Sequence, residues 1–288
     1  MRFDFRQDMA TIKEQIMSTE MGMLSGIQAL DDAILGFGKG ELVTVGGRPR
    51  EGKSSLARNI MLNVGHPAGE WGTVLYCTLE MKYAEVVGLA AATLAKINHH
   101  TVKGGNATDS ILSQLDSARA QLSSYNIIIE DDIYQTPETI RCFVQDVMQT
   151  EPIACLIVDY LQLMSLRKQV ENRQTEVAEI SRELFAIAKE FNIPVIAMSQ
   201  LNRASTYRDS TRPRMEDLRE SGAMEQDSTK VILIHRPSCY NMSIDPNAED
   251  SGEAELVIVK NRSGPQKIVK CAFIAEWTSF QNLPEEDI

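Results

Sequence analysis

Residues 41–57, read Glu-Leu-Val-Thr-Val-Gly-Gly-Arg-Pro-Arg-Glu-Gly-Lys-Ser-Ser-Leu-Ala, constrain the fold of this chain more than any other stretch. Leu42, Val43 and Val45 form an apolar run suited to a buried strand. Gly47, Gly52, Lys53 and Ser54 then fit G-x-x-x-x-G-K-[ST] residue for residue. A loop of this kind wraps a phosphate with backbone N–H groups, and side chains at its glycines would block the approach or forbid the φ it needs. In this pattern Lys53 reaches the β and γ phosphates. Ser54, on the first turn of the following helix, offers its hydroxyl to Mg2+ while the helix N-terminus faces the anion. The candidate nucleotide-binding set is therefore Gly47, Arg48, Pro49, Arg50, Glu51, Gly52, Lys53, Ser54 and Ser55.

Strand and helix patterns alternate after the loop, which predicts an α/β core with a mostly parallel sheet flanked by helices. In such a sheet ligands bind outside the carboxyl ends of the strands, so polar residues at strand ends are informative. Residues 73–79 read as a strand ending at Glu80, a carboxylate placed to accept a proton from water attacking the γ-phosphate. The bland alternative is an acid at the start of the helical run 84–97. Residues 153–158 are apolar and close on Asp159, about 100 residues after the loop, where a carboxylate can support Mg2+. Residues 194–198 form a further strand, followed by Ser199 and Gln200. Gln200 is placed like a sensor of the γ-phosphate, with a plain loop glutamine as the alternative. Residues 109–122 and the helix begun by Pro137 after Thr136 read as scaffold.

Composition narrows the partners. With 29 Lys and Arg against 40 Asp and Glu the net charge is −11, which excludes a basic outer coat for nucleic acid and leaves only a local contact. The loop from Arg203 to Arg219 carries five arginines against three carboxylates, a local inversion that points to a polyanion, although a solvated arginine loop is the alternative. Gly222, just beyond it, admits a close backbone approach. Residues 255–260 form a strand, followed by the basic turn Lys260-Asn261-Arg262-Ser263-Gly264-Pro265. That turn is either a hairpin with two solvated cations or a cationic finger completing a neighbouring subunit's site. No apolar run approaches the roughly 20 residues needed to cross a bilayer, and the charged N-terminus lacks a secretory core, so a cytoplasmic location is expected. Five scattered cysteines without a C-x-x-C pair are expected to be reduced and mostly buried. Residues 1–23, with Phe5, Met9, Ile12 and Ile16 at helical spacing, are expected to be a short linker or docking helix. It would pack on its own domain or on a neighbour, with the main domain spanning 24–288.

Six ordered motifs together resemble the C-terminal motor domain of the DnaB family of replicative helicases. They are Arg48-Pro49 within the loop, Leu79-Glu80-Met81, the run from Val158 to Met164, the run from Ser199 to Arg203, the run from Asp217 to Gly222, and the basic turn from Lys260 to Pro265. The resemblance implies a RecA-like P-loop core assembled as a homohexameric ring, hydrolysing ATP with Mg2+ between subunits and moving on single-stranded DNA. Carried over by position, Lys53 and Ser54 bind phosphate and Mg2+, Glu80 activates water, Asp159 supports the metal and Gln200 senses the γ-phosphate. Lys260 and Arg262 reach the adjacent subunit's nucleotide, and Arg219, Glu220 and Gly222 contact DNA. A helicase loader or primase is the further partner implied.

Two departures stand out. Glu51 occupies a position that is usually apolar or small in the family, and unless it points outward it is expected to repel phosphates and weaken ATP affinity. The family's helical N-terminal domain has no counterpart beyond residues 1–23, as expected of a truncated form or of a compact phage or mobile-element version. Two other classes fit the nucleotide motifs: a RecA- or RadA-like ATPase of recombination or repair, and a nucleotide-dependent DNA-binding module. The module would need neither Glu80 nor Arg262.

Overall fold

The computed structural model of the chain describes residues 21–168, 170–202, 212–218, 222–239 and 250–284. Among these residues nine strands form one sheet in the order β3-β2-β4-β5-β1-β6-β7-β8-β9. The first six in that order, β3 (Ile127–Glu130), β2 (Thr73–Thr78), β4 (Ile153–Asp159), β5 (Val195–Gln200), β1 (Leu42–Gly47) and β6 (Lys230–His235), run parallel. The last three, β7 (Glu253–Asn261), β8 (Lys267–Ile274) and β9 (Ser279–Gln281), extend it by antiparallel pairing.

The central strands are apolar along their whole length because both faces are covered. Alternate residues enter opposite cores. Val43, Val45, Tyr76, Ile157, Ile196 and Met198 pack under α1 (Gln28–Ile34), α2 (Lys53–Val64) and α3 (Tyr83–Leu94). Leu42, Leu75, Leu156, Val158, Val195 and Ala197 pack under α6 (Pro137–Met148) and α7 (Arg173–Phe191). The short α4 (His99–Lys103) and the longer α5 (Asp109–Leu122) lie outside α3, with Leu115 and Ala118 of α5 buried against Ala91 and Ala92. Local signals set the helix starts: Thr136 caps α6 in a reciprocal box with Thr139 ahead of Pro137, and the Asn172 side chain accepts from the Thr175 N–H at the head of α7.

Residues 1–20, which carry the expected linker helix, lie outside the described residues. Gly22 and Met23 pair with Leu35 and Phe37, and Met23 is buried in the first core, so the chain is already within the domain there. The cysteines are all free. Cys77, Cys155 and Cys271 are buried, with the Cys271 thiol pushed up to about 12 by burial, whereas Cys142 is exposed and Cys239 half-buried. Among the described residues no helix is long and apolar enough to cross a membrane.

The entry to β1 is held by a buried ion pair. Lys230 is 2% exposed and donates to the Gly36 carbonyl at 2.8 Å and to Glu41 at 2.5 Å, while Glu41 also accepts from the Gly38 N–H. Lys230→Ala strands the Glu41 carboxylate beside a half-buried turn, so it is expected to cost about 3 kcal/mol of stability, read by urea denaturation. A loss below about 1 kcal/mol would place the pair with weak surface bridges.

Candidate active site

The parallel strands bring the candidate residues to one edge of the sheet. Gly47 is in register with Gln200, and Thr78 with Asp159. Two backbone bonds tie the strand ends together, from Leu201 N–H to the Gly47 carbonyl and from Leu79 N–H to the Asp159 carbonyl. The loop from Gly47 turns into α2 at Gly52, whose φ of +99° favours glycine and where a Cβ would press on the Phe280 ring at 3.0 Å. Arg50, at the exposed apex, holds a left-handed φ of +70°. Its carbonyl is engaged from below by the Arg236 guanidinium, which also stacks 3.6 Å from the Phe273 ring centroid. Pro49 is likewise exposed, while Ser54 and Ser55 lie half-buried on the first turn of α2.

Lys53 points into a ring of acids. Burial pushes its ammonium below the usual lysine range, and the charges of Asp159, Glu80 and Glu51 pull it back in that order. Its Nζ also lies 5.7 Å from the Tyr160 ring centroid. Glu80, just past β2, is exposed and acts on both Lys53 and Tyr160, so it faces the same space. Gln200, at the tip of β5, is held through its backbone: the N–H donates to Gln162 Oε1 at 3.1 Å, and Gln162 Nε2 donates to Ser199 Oγ at 2.8 Å.

Asp159 is 1% exposed, and burial raises its carboxyl above the ordinary range. The Ser54 hydroxyl, Tyr76, Lys53 and Arg58 all favour its ionised form. Oδ2 accepts from the Tyr76 hydroxyl at 2.8 Å, whereas Oδ1 is buried with no hydrogen-bond partner among the described residues. An orphaned carboxylate oxygen near a serine hydroxyl is a hard-oxygen environment that suits Mg2+. Among the described residues no cluster of three or more His, Cys, Asp or Glu could hold a metal.

Glu51 does not point outward. It is 3% exposed, and its carboxylate accepts from the Arg48 N–H at 2.8 Å and from the Arg48 guanidinium at 3.3 Å. Burial raises its carboxyl, and Arg48 and then Lys53 counter the rise. The inward carboxylate is therefore paired inside the loop, and Arg48 offsets the repulsion expected of it.

Lys260 and Arg262 are not brought to this edge. Lys260 pairs with Val231 at the start of β6, and both cations donate to carbonyls in α8 (Gly222–Asp227): Lys260 to Glu225 and Gln226, Arg262 to Gln226. They lie at the amino ends of the parallel strands, opposite their own chain's Lys53. Arg219 and Glu220 lie outside the described residues, as do Arg203 and Arg208. Gly222 opens α8, exposed and with no atom of the described residues within 4 Å of where a Cβ would stand. Arg212 is tied to Glu255 by two bonds of 2.7 and 2.9 Å.

Tyr76, Arg58 and Gln162, which the sequence did not single out, contact the candidate residues. Tyr76 reads as one more strand aromatic. Arg58 reads as a surface helix residue, yet it is 4% exposed and bonds Thr278 and Thr93.

Residues 22–282 match the family model described as DnaB-like helicase C terminal domain. The chain belongs to this family. It is 36% identical over 268 residues to the replicative DNA helicase DnaB of Pasteurella multocida, and 36% identical over 263 residues to the replicative DNA helicase DnaC of Bacillus subtilis. These alignments take in 92% and 91% of the chain but only 56% and 57% of the two relatives, so it spans little more than half their length. Among solved structures, the ATPase domain of the protein G40P superposes with a TM-score of 0.87 at 29% identity, covering 98% of this chain and all of that one. A DnaB-like replicative helicase, solved in a study of its interactions with primase, superposes at 0.86 and 30% identity over 97% of this chain and 68% of that one. The mostly parallel RecA-like ATPase fold of the DnaB family is thus the fold of this chain.

Proposed function

We propose that this chain is an ATP-driven DNA helicase motor that moves along single-stranded DNA as a homohexameric ring, in the cytoplasm. The observation that carries this reading is the opposition of two edges. Lys53, Ser54, Glu80, Asp159 and Gln200 face the carboxyl ends of the strands, while Lys260 and Arg262 are displayed at the amino ends. A head-to-tail ring brings one subunit's cations to the next subunit's nucleotide, and a rotation that closes gives such a ring. The relatives' names support the replicative helicase reading over the recombinase one, and the solved neighbour studied with primase makes primase, or a helicase loader, the proposed protein partner.

In this mechanism the loop N–H groups and Lys53 bind the phosphates. Glu80 takes a proton from the attacking water. Ser54 and Asp159 would hold Mg2+, which when bound supplies positive charge against the developing charge on the phosphates. Gln200, fixed at its backbone by Gln162, leaves its amide free to respond to the terminal phosphate and to pass that response into the arginine loop. Lys260 and Arg262 contribute in trans.

Steady-state ATP hydrolysis with and without single-stranded DNA tests the proposal. Stimulation by DNA together with strand displacement is expected; nucleotide binding without turnover would indicate a switch module, and stimulated turnover without displacement a recombinase-like ATPase. Arg219→Ala is expected to weaken single-stranded DNA binding for all sequences alike, because a phosphate contact carries no base information. The slope of log affinity against log salt should fall by about 0.7 for the lost contact. Unchanged affinity and slope would return the loop to solvated surface.

A further inference from the structure

Beneath the candidate site two buried polar side chains, Tyr76 and Arg58, lie in a largely apolar core. Tyr76 is in the middle of β2, on the face that packs against α2. Its ring is 2% exposed, and its hydroxyl donates to Asp159 Oδ2. Arg58, one turn along α2 from Ser54, is anchored by the Thr278 carbonyl at 2.9 Å, the Thr278 hydroxyl at 2.7 Å and the Thr93 hydroxyl at 3.3 Å. Its charge acts on both Tyr76 and Asp159. A buried hydroxyl needs a partner, and a backbone carbonyl would serve. Here the partner is one oxygen of the carboxylate that faces Ser54, and the other oxygen has none among the described residues.

We infer that Tyr76 is a positioning residue for Asp159: its hydroxyl holds Oδ2 and fixes the plane of the carboxylate that faces Ser54, leaving Oδ1 open, with Arg58 as the buried counter-charge. The inference rests on the ATP-hydrolysing reading, since only a cation carried with the nucleotide gives Oδ1 a use. The donor works as carboxylate partners do around metals, where losing the outer group costs about 10- to 100-fold in metal affinity. A tyrosine that only filled the core would be replaced by phenylalanine with no effect on the cation.

The test is a titration of Mg2+ against the fluorescence of a labelled ADP bound to the full chain, in wild type, Tyr76→Phe, Asp159→Asn and the double variant. Nucleotide binding in the wild type should strengthen with Mg2+; if it does not, the nucleotide reading fails, whatever Tyr76 does. Given that dependence, Tyr76→Phe is expected to raise the Mg2+ half-point about tenfold. In the Asp159→Asn background the same change should add nothing, because Tyr76 acts through Asp159. A folded Tyr76→Phe with the wild-type half-point overturns the inference, as does an equal further loss in the Asp159→Asn background. A Tyr76→Phe chain that no longer melts cooperatively overturns it too, since the hydroxyl would then belong to the fold and not to the site.

Discussion

Lys53→Ala is expected to reduce ATP hydrolysis to background while the chain keeps its far-ultraviolet circular dichroism and its cooperative melting. The half-buried ammonium feels three carboxylates, Asp159, Glu80 and Glu51, and its burial already disfavours the charged form. Such a cation contributes little to the fold and much to an anion that arrives in its place. The apolar contacts that anchor α2 are made by Leu56, Ala57 and Ile60, which the substitution does not touch. Turnover near the wild-type rate would remove the P-loop assignment, and with it the functional reading of Asp159.

Glu80→Gln separates chemistry from binding. Glu80 is exposed beyond the end of β2, so the amide replaces the carboxylate without a packing cost. Turnover should fall by about 10²-fold or more, the usual cost of losing a general base. Equilibrium binding of ATP should persist and tighten slightly, because one negative charge facing the phosphates is gone. If binding weakened in step with turnover, Glu80 would belong to the loop's architecture and the base would have to be sought elsewhere on this edge.

Much of the candidate site was legible because its polar residues sit at strand ends, where an apolar run stops on a polar residue. Asp159 and Gln200 fall within the last residues of β4 and β5, and Glu80 lies two residues past β2. Residues 109–122 and the helix begun by Pro137 are α5 and α6, because side-chain caps at Thr108 and Thr136 mark where each begins. The residues that escaped notice are those whose role depends on what lies across the sheet. Tyr76 alternates with Leu75 and Cys77 as any strand residue does, and nothing in that run reveals that its hydroxyl reaches Asp159 at the end of β4. Arg58 looks solvated until the turn carrying Thr278 is folded over it. Glu51 was expected to oppose the phosphates because its charge was legible, whereas the Arg48 N–H that receives it was not. β8 and β9 carry no comparable signal. They lie beyond the basic turn, yet they place Phe273 and Phe280 under Gly52 and so brace the loop on which the site depends.

In the proposed ring the nucleotide site is completed across a subunit interface. Mixing two variants, Lys53→Ala and Arg262→Ala, tests it most directly by steady-state ATP hydrolysis. Each variant alone is expected to be inactive, the first for want of a phosphate-binding lysine and the second for want of the incoming cation. In an equal mixture of exchanging subunits, about one interface in four joins an intact Lys53 to an intact Arg262, so hydrolysis should return. A mixture as inactive as its components, under conditions where the subunits are shown to exchange, would contradict completion in trans, as would full activity of Arg262→Ala on its own.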